Sequence, residues 1–429
     1  MRTPSRPTPH LAAVLLALVL AACGGPEKHS QGVPDSGTTL PEPDAGAPDA
    51  GEPDAGTPDS GTPDAGAPDA GIPDSGTPDA GAPDAGEPDA GEPEDPLVIP
   101  KTLSGFGLFT GSPGDGGLLP VEGNVPYTLT TPLFSDYMVK SRTLYVPPDK
   151  VAHYDAKDVL DLPVGTLITK TFSLPADLRA PDQNLRAVET RVLVHQPSGW
   201  AAYPYLWNAD QTEATQVPGG RVLSLEYIDL DGEARTLSYL VPSRNQCLTC
   251  HHLKNEAGDQ ILVPIGVKAR YLNRTNVYGG VEHNQLDHLA TLGKLDGLPP
   301  TEERPHAPDA FDEEAASLET RARTYLDINC AHCHNPKGTA GDTSRLFLDI
   351  DNADPFHLGV CKRPGSAGND VGGEFDIVPG DHTTSILWYR MNTVESGKMM
   401  PQIGRSLRHV EGSKLIADWI DSMPKQSCK

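Results

Sequence analysis

Two short segments constrain this chain more than anything else in it. Cys247-Leu248-Thr249-Cys250-His251 and Cys330-Ala331-His332-Cys333-His334 share one spacing: two thiols with two residues between them, then an imidazole directly after the second. That is the C-x-x-C-H pattern of c-type haem attachment. The order is a chemical requirement, because each sulfur adds to one vinyl group and the next residue brings its imidazole under the iron as proximal ligand. On this reading Cys247, Cys250, Cys330 and Cys333 carry two covalently bound haem c groups, with His251 and His334 as the metal ligands. Paired cysteines with nearby histidines also build zinc knuckles, and a C-x-x-C pair can be a redox dithiol. Neither alternative explains why histidine directly follows the second cysteine both times.

The chain opens with Arg2 and Arg6, an apolar run from Leu11 to Leu20, and then Ala21-Ala22-Cys23-Gly24. This is the layout of an export signal: charged start, an apolar stretch too short to span a membrane stably, and a small-residue cleavage site. The segment resembles the lipobox of bacterial lipoproteins. The resemblance implies a signal peptide at 1–22 and acylation of Cys23, which would tether the chain to a lipid bilayer. Gly24, where an inner-membrane retention signal would have Asp, favours the outer membrane, facing the periplasm or the cell surface. An ordinary signal peptide with an incidental cysteine shares the layout. Either way the chain is expected in a compartment where disulfides persist. Of the seven cysteines, Cys361 and Cys428 are then left over, and an even remainder suggests a disulfide pinning the C-terminal tail.

Residues 23–96 read as a tether. From Val33 to Pro96 a five-residue unit, Pro-Asp-Ala-Gly or Pro-Asp-Ser-Gly plus one variable residue, recurs with almost no large apolar side chains. Nothing there offsets the entropy of ordering it, and coil statistics give a reach of roughly 45 Å. Residues 31–96 carry 12 Asp and 5 Glu and neither Lys nor Arg, so most of the formal charge of −25 sits in this stretch. The acidic balance argues against nucleic acid as a partner.

Residues 97–246 change to short β-rich runs. Thr166–Phe172 reads as a strand, and Val188–His195 with Trp200–Trp207 as a hairpin across Pro197-Ser198-Gly199. Arg221–Leu230 and Glu233–Val241 form a second hairpin at Asp231-Gly232, a pair that supplies the positive φ tight turns demand. The expectation is a sandwich-like β domain. Asp136, Tyr137, His195, Trp200, Tyr205, Trp207 and Asn208 line a binding surface or pack as core and cross-strand pairs. Residues 247–311 form the first haem-binding segment, where His283 and His288 are candidates for the sixth ligand.

In residues 312–429, Ala315–Ile328 and Glu411–Met423 carry helical periodicity. The region resembles a class I cytochrome c, whose terminal helices cross beside the haem. That resemblance implies a mostly α-helical domain, giving an α+β fold overall. Lys398-Met399-Met400-Pro401 resembles the family's distal loop, which implies Met400 as sixth ligand, with Met399 as its rival. Arg390 and Arg405 are candidates to pair with haem propionates or to form surface salt bridges. More broadly, residues from about 103 to 420 are similar to bacterial exported dihaem c-type cytochromes. The likeness lies in Thr131-Pro132-Leu133-Phe134-Ser135-Asp136-Tyr137, in Arg321-Ala322-Arg323, in Asn329–Pro336 and in Met400–Ser406. It implies electron transfer with periplasmic or outer-membrane redox proteins. The rival expectations are a dihaem peroxidase or oxidase using an open first haem, and a non-catalytic binding lipoprotein.

Overall fold

Successive side chains along Val139–Tyr145, Leu167–Pro175, Leu185–Gln196 and Gly199–Trp207 point to opposite sides, and buried residues dominate all but the first, so most of these strands have two faces to cover. The computed structural model describes residues 95–365 and 371–429; the export signal, Cys23 and nearly all of the repeat lie outside them. These strands form the middle of a six-stranded sheet, flanked by Asn124–Pro126 on one side and Ala214–Gln216 on the other. Every neighbouring pair is antiparallel.

One face, with Leu167, Val192, Val194, Tyr203 and Tyr205, packs on Leu103 and Leu108 from the chain just before it. The opposite face is covered from both ends. Leu144, Ile168 and Leu193 meet Val267, Leu272 and Leu286 at one end. At the other, Phe172 meets Leu225, Leu237 and Tyr239 of the hairpin Arg221–Ile228 with Ala234–Val241. That hairpin pairs in unbroken register. Its turn is wider than a two-residue Asp-Gly turn, because Asp229 Oδ1 accepts from the amides of both Asp231 and Glu233.

Two expectations about fold class are corrected here. The β region is one six-stranded meander with small two-stranded sheets around it, not a sandwich. The covers on its second face are a hairpin and an irregular segment, so alternation along the strands alone did not reveal the partner. The C-terminal region is also not mostly helical: across the described residues strand outweighs helix, 29% to 21%. The helices within 312–429 are Leu318–Cys330, Gly341–Ser344, Pro355–Leu358, Ile386–Asn392 and Val410–Ser422, well under half of it. Local side-chain-to-backbone bonds explain the rest. Asn335 and Asn352 each accept from an amide two residues on, and such turns compete with helix. Gly359 and Gly380 add positive φ where a helix would have to continue.

The two 13-residue helices, Leu318–Cys330 and Val410–Ser422, do pack together, through Tyr325, Leu326, Leu415, Ile416, Trp419 and Ile420. They pack tightly at Gly412, where a Cβ would collide with the Tyr325 ring and hydroxyl. Cys361 is joined to Cys428 in a disulfide with a Cα–Cα distance of 5.0 Å, which ties the tail beyond the last helix to the loop before residue 366. Among the described residues no helix is long and apolar enough to cross a membrane.

Gly412→Ala should therefore destabilise the protein by about 1–3 kcal/mol, the usual cost of overpacking a close contact. Urea unfolding monitored by circular dichroism would measure it, with Ser413→Ala as the control on the same helix.

Candidate functional site

The first cysteine motif lies on a short helix, Arg244–His251, that begins three residues after the hairpin ends. Ser243 starts it with a reciprocal cap: its hydroxyl accepts from the Gln246 amide at 3.2 Å, and its own amide donates to Gln246 Oε1 at 2.9 Å. Cys247, Cys250 and His251 fall at i, i+3 and i+4, and so share one helix face. The His251 Nδ1 bonds the Val263 carbonyl at 2.8 Å. That bond fixes the ring and leaves Nε2 as the nitrogen able to take a metal.

The second motif begins on the last residue of Leu318–Cys330 and continues as turns. The His334 amide donates to the Cys330 carbonyl at 2.9 Å, and its Nδ1 lies 3.3 Å from Ser344 Oγ. Both imidazoles thus have Nδ1 engaged. Burial pushes each down to about 4, so both are neutral near pH 7, the form that ligates metals. Burial also pushes the Cys330 thiol up to about 12.

Sequence separates the two motifs widely, yet they touch. The Cys333 thiol and the Thr339 hydroxyl both donate to the Thr249 carbonyl, at 3.4 and 3.1 Å. The Lys254 amide donates to the Lys337 carbonyl at 2.9 Å, and its ammonium pairs with Asp342. Ligand atoms of Cys250, His332 and Cys333 all lie within 4.8 Å of one another. The neighbouring Cys333 and His332 side chains draw the Cys250 thiol well below its ordinary value.

All four cysteines, His251, His334 and Met400 line a single cavity of about 570 Å³. Met399 is not among its lining residues; Met391, which sequence reasoning passed over, is. His283 and His288 are elsewhere. His288 stacks on Tyr278 at 3.6 Å between ring centroids, with His283 alongside, and neither lines the cavity. The proposed binding surface is not formed either. Tyr205 and Trp207 are buried, Trp200 stacks on His195, and Asn208 orders its own turn.

Arg390 and Arg405 both line the cavity, and both are buried rather than on the surface. Arg405 donates to the carbonyls of Met400, Leu407, Arg390 and Thr393, so its guanidinium shapes the loop that carries Met400. The other brace of that loop comes from the β region. Asp136 Oδ1 accepts from the amides of Ser406 and Leu407, both at 2.7 Å. The Tyr137 hydroxyl donates to Glu411 at 2.9 Å and accepts from the Val410 amide at 3.0 Å. Close by, the Phe134 amide donates to Asn329 Oδ1 at 2.8 Å, and the Phe134 ring stacks on His409. The run Thr131–Tyr137 is thus a clasp between the second motif and the Met400 loop.

No family model matches the chain, and neither does any curated protein or solved structure.

Replacing Asp136 with Ala leaves two loop amides without an acceptor and should cost about 2–3 kcal/mol. Asp136→Asn keeps the Oδ1 acceptor and should cost much less. Urea midpoints of the two variants, compared with the parent, decide this.

Proposed function

We propose that this chain is an exported dihaem c-type cytochrome that carries electrons between redox proteins outside the cytoplasm, held at a membrane by lipid on Cys23. The observation that carries the reading is the pair of Cys-x-x-Cys-His segments opening onto one cavity, each histidine anchored through Nδ1 with Nε2 left for iron. The donor set fits the group. Each segment offers two sulfurs and one neutral imidazole, and the cavity wall adds apolar side chains and buried cations suited to a dianionic porphyrin edge. Cys247, Cys250 and His251 would hold one haem, and Cys330, Cys333 and His334 the other, with Met400 on the cavity wall as the second ligand there. Haem bound in this way supplies one-electron redox chemistry, with methionine sulfur favouring the ferrous state.

The polypeptide's own part is positional. The Val263 carbonyl orients His251 and Ser344 orients His334, which sets the tautomer of each ring. Asp136 and Arg405 fix the loop of Met400. Contact between the two motifs through Thr249 supports electron exchange within one molecule.

A second reading has one observation behind it: Cys250, His332 and Cys333 are close enough to grip a soft metal such as zinc. It uses one of the three motif residues of each segment, with His332 from a spacer position, and gives no role to Cys247, Cys330, His251 or His334.

One preparation separates the two. Expressed with a haem-maturation apparatus, the protein should be red, with c-type absorption and two haems per chain by pyridine haemochrome assay. Cys247→Ala/Cys250→Ala and Cys330→Ala/Cys333→Ala should each retain one. A colourless protein holding zinc that Cys333→Ala loses would replace the haem reading with the metal one. A high-spin first iron with peroxide turnover would make the protein an enzyme rather than a carrier.

A further inference from the structure

The cavity's sheet wall carries a charge arrangement that the attachment motifs do not account for. Arg142 lies directly opposite Lys170 on the neighbouring strand, and Lys170 directly opposite Arg191 on the next. The three cations form one row across the sheet, and all three line the cavity. An apolar row, Leu144, Ile168 and Leu193, flanks it on one side; on the other, Phe172 stands between Lys140 and Glu189. Like charges directly opposite each other on paired strands destabilise a sheet, and burial makes the repulsion stronger.

The anions facing the row neutralise Arg191 alone and leave Arg142 and Lys170 uncompensated. Glu189, fully buried, is gripped by Arg191 through Nε at 3.0 Å and Nη2 at 2.5 Å, and also accepts from the Tyr239 hydroxyl. Asp136 acts on Lys140, whose ammonium donates to the Leu133 carbonyl at 2.8 Å. Lys170 lies over the Phe172 ring at 4.7 Å. Arg142 is 6% exposed, and its Nη2 is buried without a hydrogen-bond partner. Burial among the other cations pushes Lys170 well below its ordinary value, a sign of what the row costs when no anion sits against it. A buried guanidinium with an idle donor calls for an acceptor of opposite charge.

We propose that the Arg142–Lys170–Arg191 row is a receptor for carboxylates, and that those carboxylates are the propionates of the haem held at Cys247, Cys250 and His251. The second half of this statement rests on the haem reading above. The row's position supports it. Arg142, Lys170 and Arg191 line the same cavity as Cys247, Cys250 and His251, and Arg142 lies two strands from Arg191, about 10 Å across the sheet. In a haem the propionates occupy the edge away from the vinyl groups that the cysteines take, and the idle donor of Arg142 on the cavity wall offers such a carboxylate a partner.

The test compares the matured full chain with Arg142→Met and Arg142→Lys. Haem is counted first, and each iron's potential is then measured by spectroelectrochemical titration. With two haems bound throughout, Arg142→Met should lower one of the two potentials, because a cation opposing the ferrous-to-ferric change is gone, and Arg142→Lys should restore it. Loss of one haem in Arg142→Met but not in Arg142→Lys carries the same meaning. Unchanged potentials, equal movement of both, or equal haem loss in both variants would overturn the proposal. A haem-free parent would instead mean that the functional reading has failed. The receptor is then tested with succinate as a diffusible carboxylate. A higher melting temperature for the parent but not for Arg142→Met keeps the receptor, and no shift in either removes it.

Discussion

Everything in this molecule depends on two cysteine–histidine segments, far apart in sequence, being held face to face over one cavity. A motif of this kind carries its own ligands but cannot fix their positions. The first is held by an eight-residue helix with a reciprocal cap at its start and the Val263 carbonyl beneath its histidine. The second hangs from the end of a longer helix that is itself shared between cores. Ile328 packs with the residues that close one face of the sheet, while Tyr325 and Leu326, a turn earlier, pack with the last helix. Because that helix belongs to both cores, the second motif cannot shift far without disturbing a buried layer, and close-packed interiors resist such shifts.

Local sequence made part of this legible. The cysteine motifs, the hairpin around Asp231-Gly232, the two long amphipathic helices and the pairing of Cys361 with Cys428 each leave a signal within a few residues or in a simple count. What stayed hidden depends on which strand lies beside which. Arg142, Lys170 and Arg191 look like three ordinary surface cations, separated by about twenty to thirty residues; only the register of three strands makes them one row on the cavity wall. The sandwich expectation failed for the same reason, since alternation says that a face is buried but not what buries it. The helical expectation for 312–429 failed because short Asx turns and left-handed glycines, each a local bond, outcompeted a pattern inferred from resemblance.

Asp136 shows how a residue can mislead in sequence and still matter in structure. It stands in a run with Tyr137 that reads as a polar and aromatic binding surface. Both residues have positive φ, a conformation that non-glycine residues rarely hold without compensation. The compensation here is the set of bonds to Ser406, Leu407, Val410 and Glu411. Burial raises the Asp136 carboxyl above its ordinary value even against two amide donors and the nearby Arg405. The bend is therefore a fastening, and what it fastens is the loop whose backbone Arg405 grips from the other side.

The helices and the sheet then divide the work around the cavity. Helical and turn segments contribute sulfur and imidazole, the groups that make short, directed bonds. The sheet contributes charge at long range, from side chains that reach in from neighbouring strands. A rigid sheet suits that role, because repelling cations in a flexible loop would simply move apart, whereas cross-strand register keeps them together. Glu189 compensates Arg191, but the repulsion between Arg142 and Lys170 still raises the energy of the wall, and so a further anion that arrives is bound with that repulsion relieved. The same arrangement that weakens the sheet by itself would strengthen its hold on a ligand carrying carboxylates.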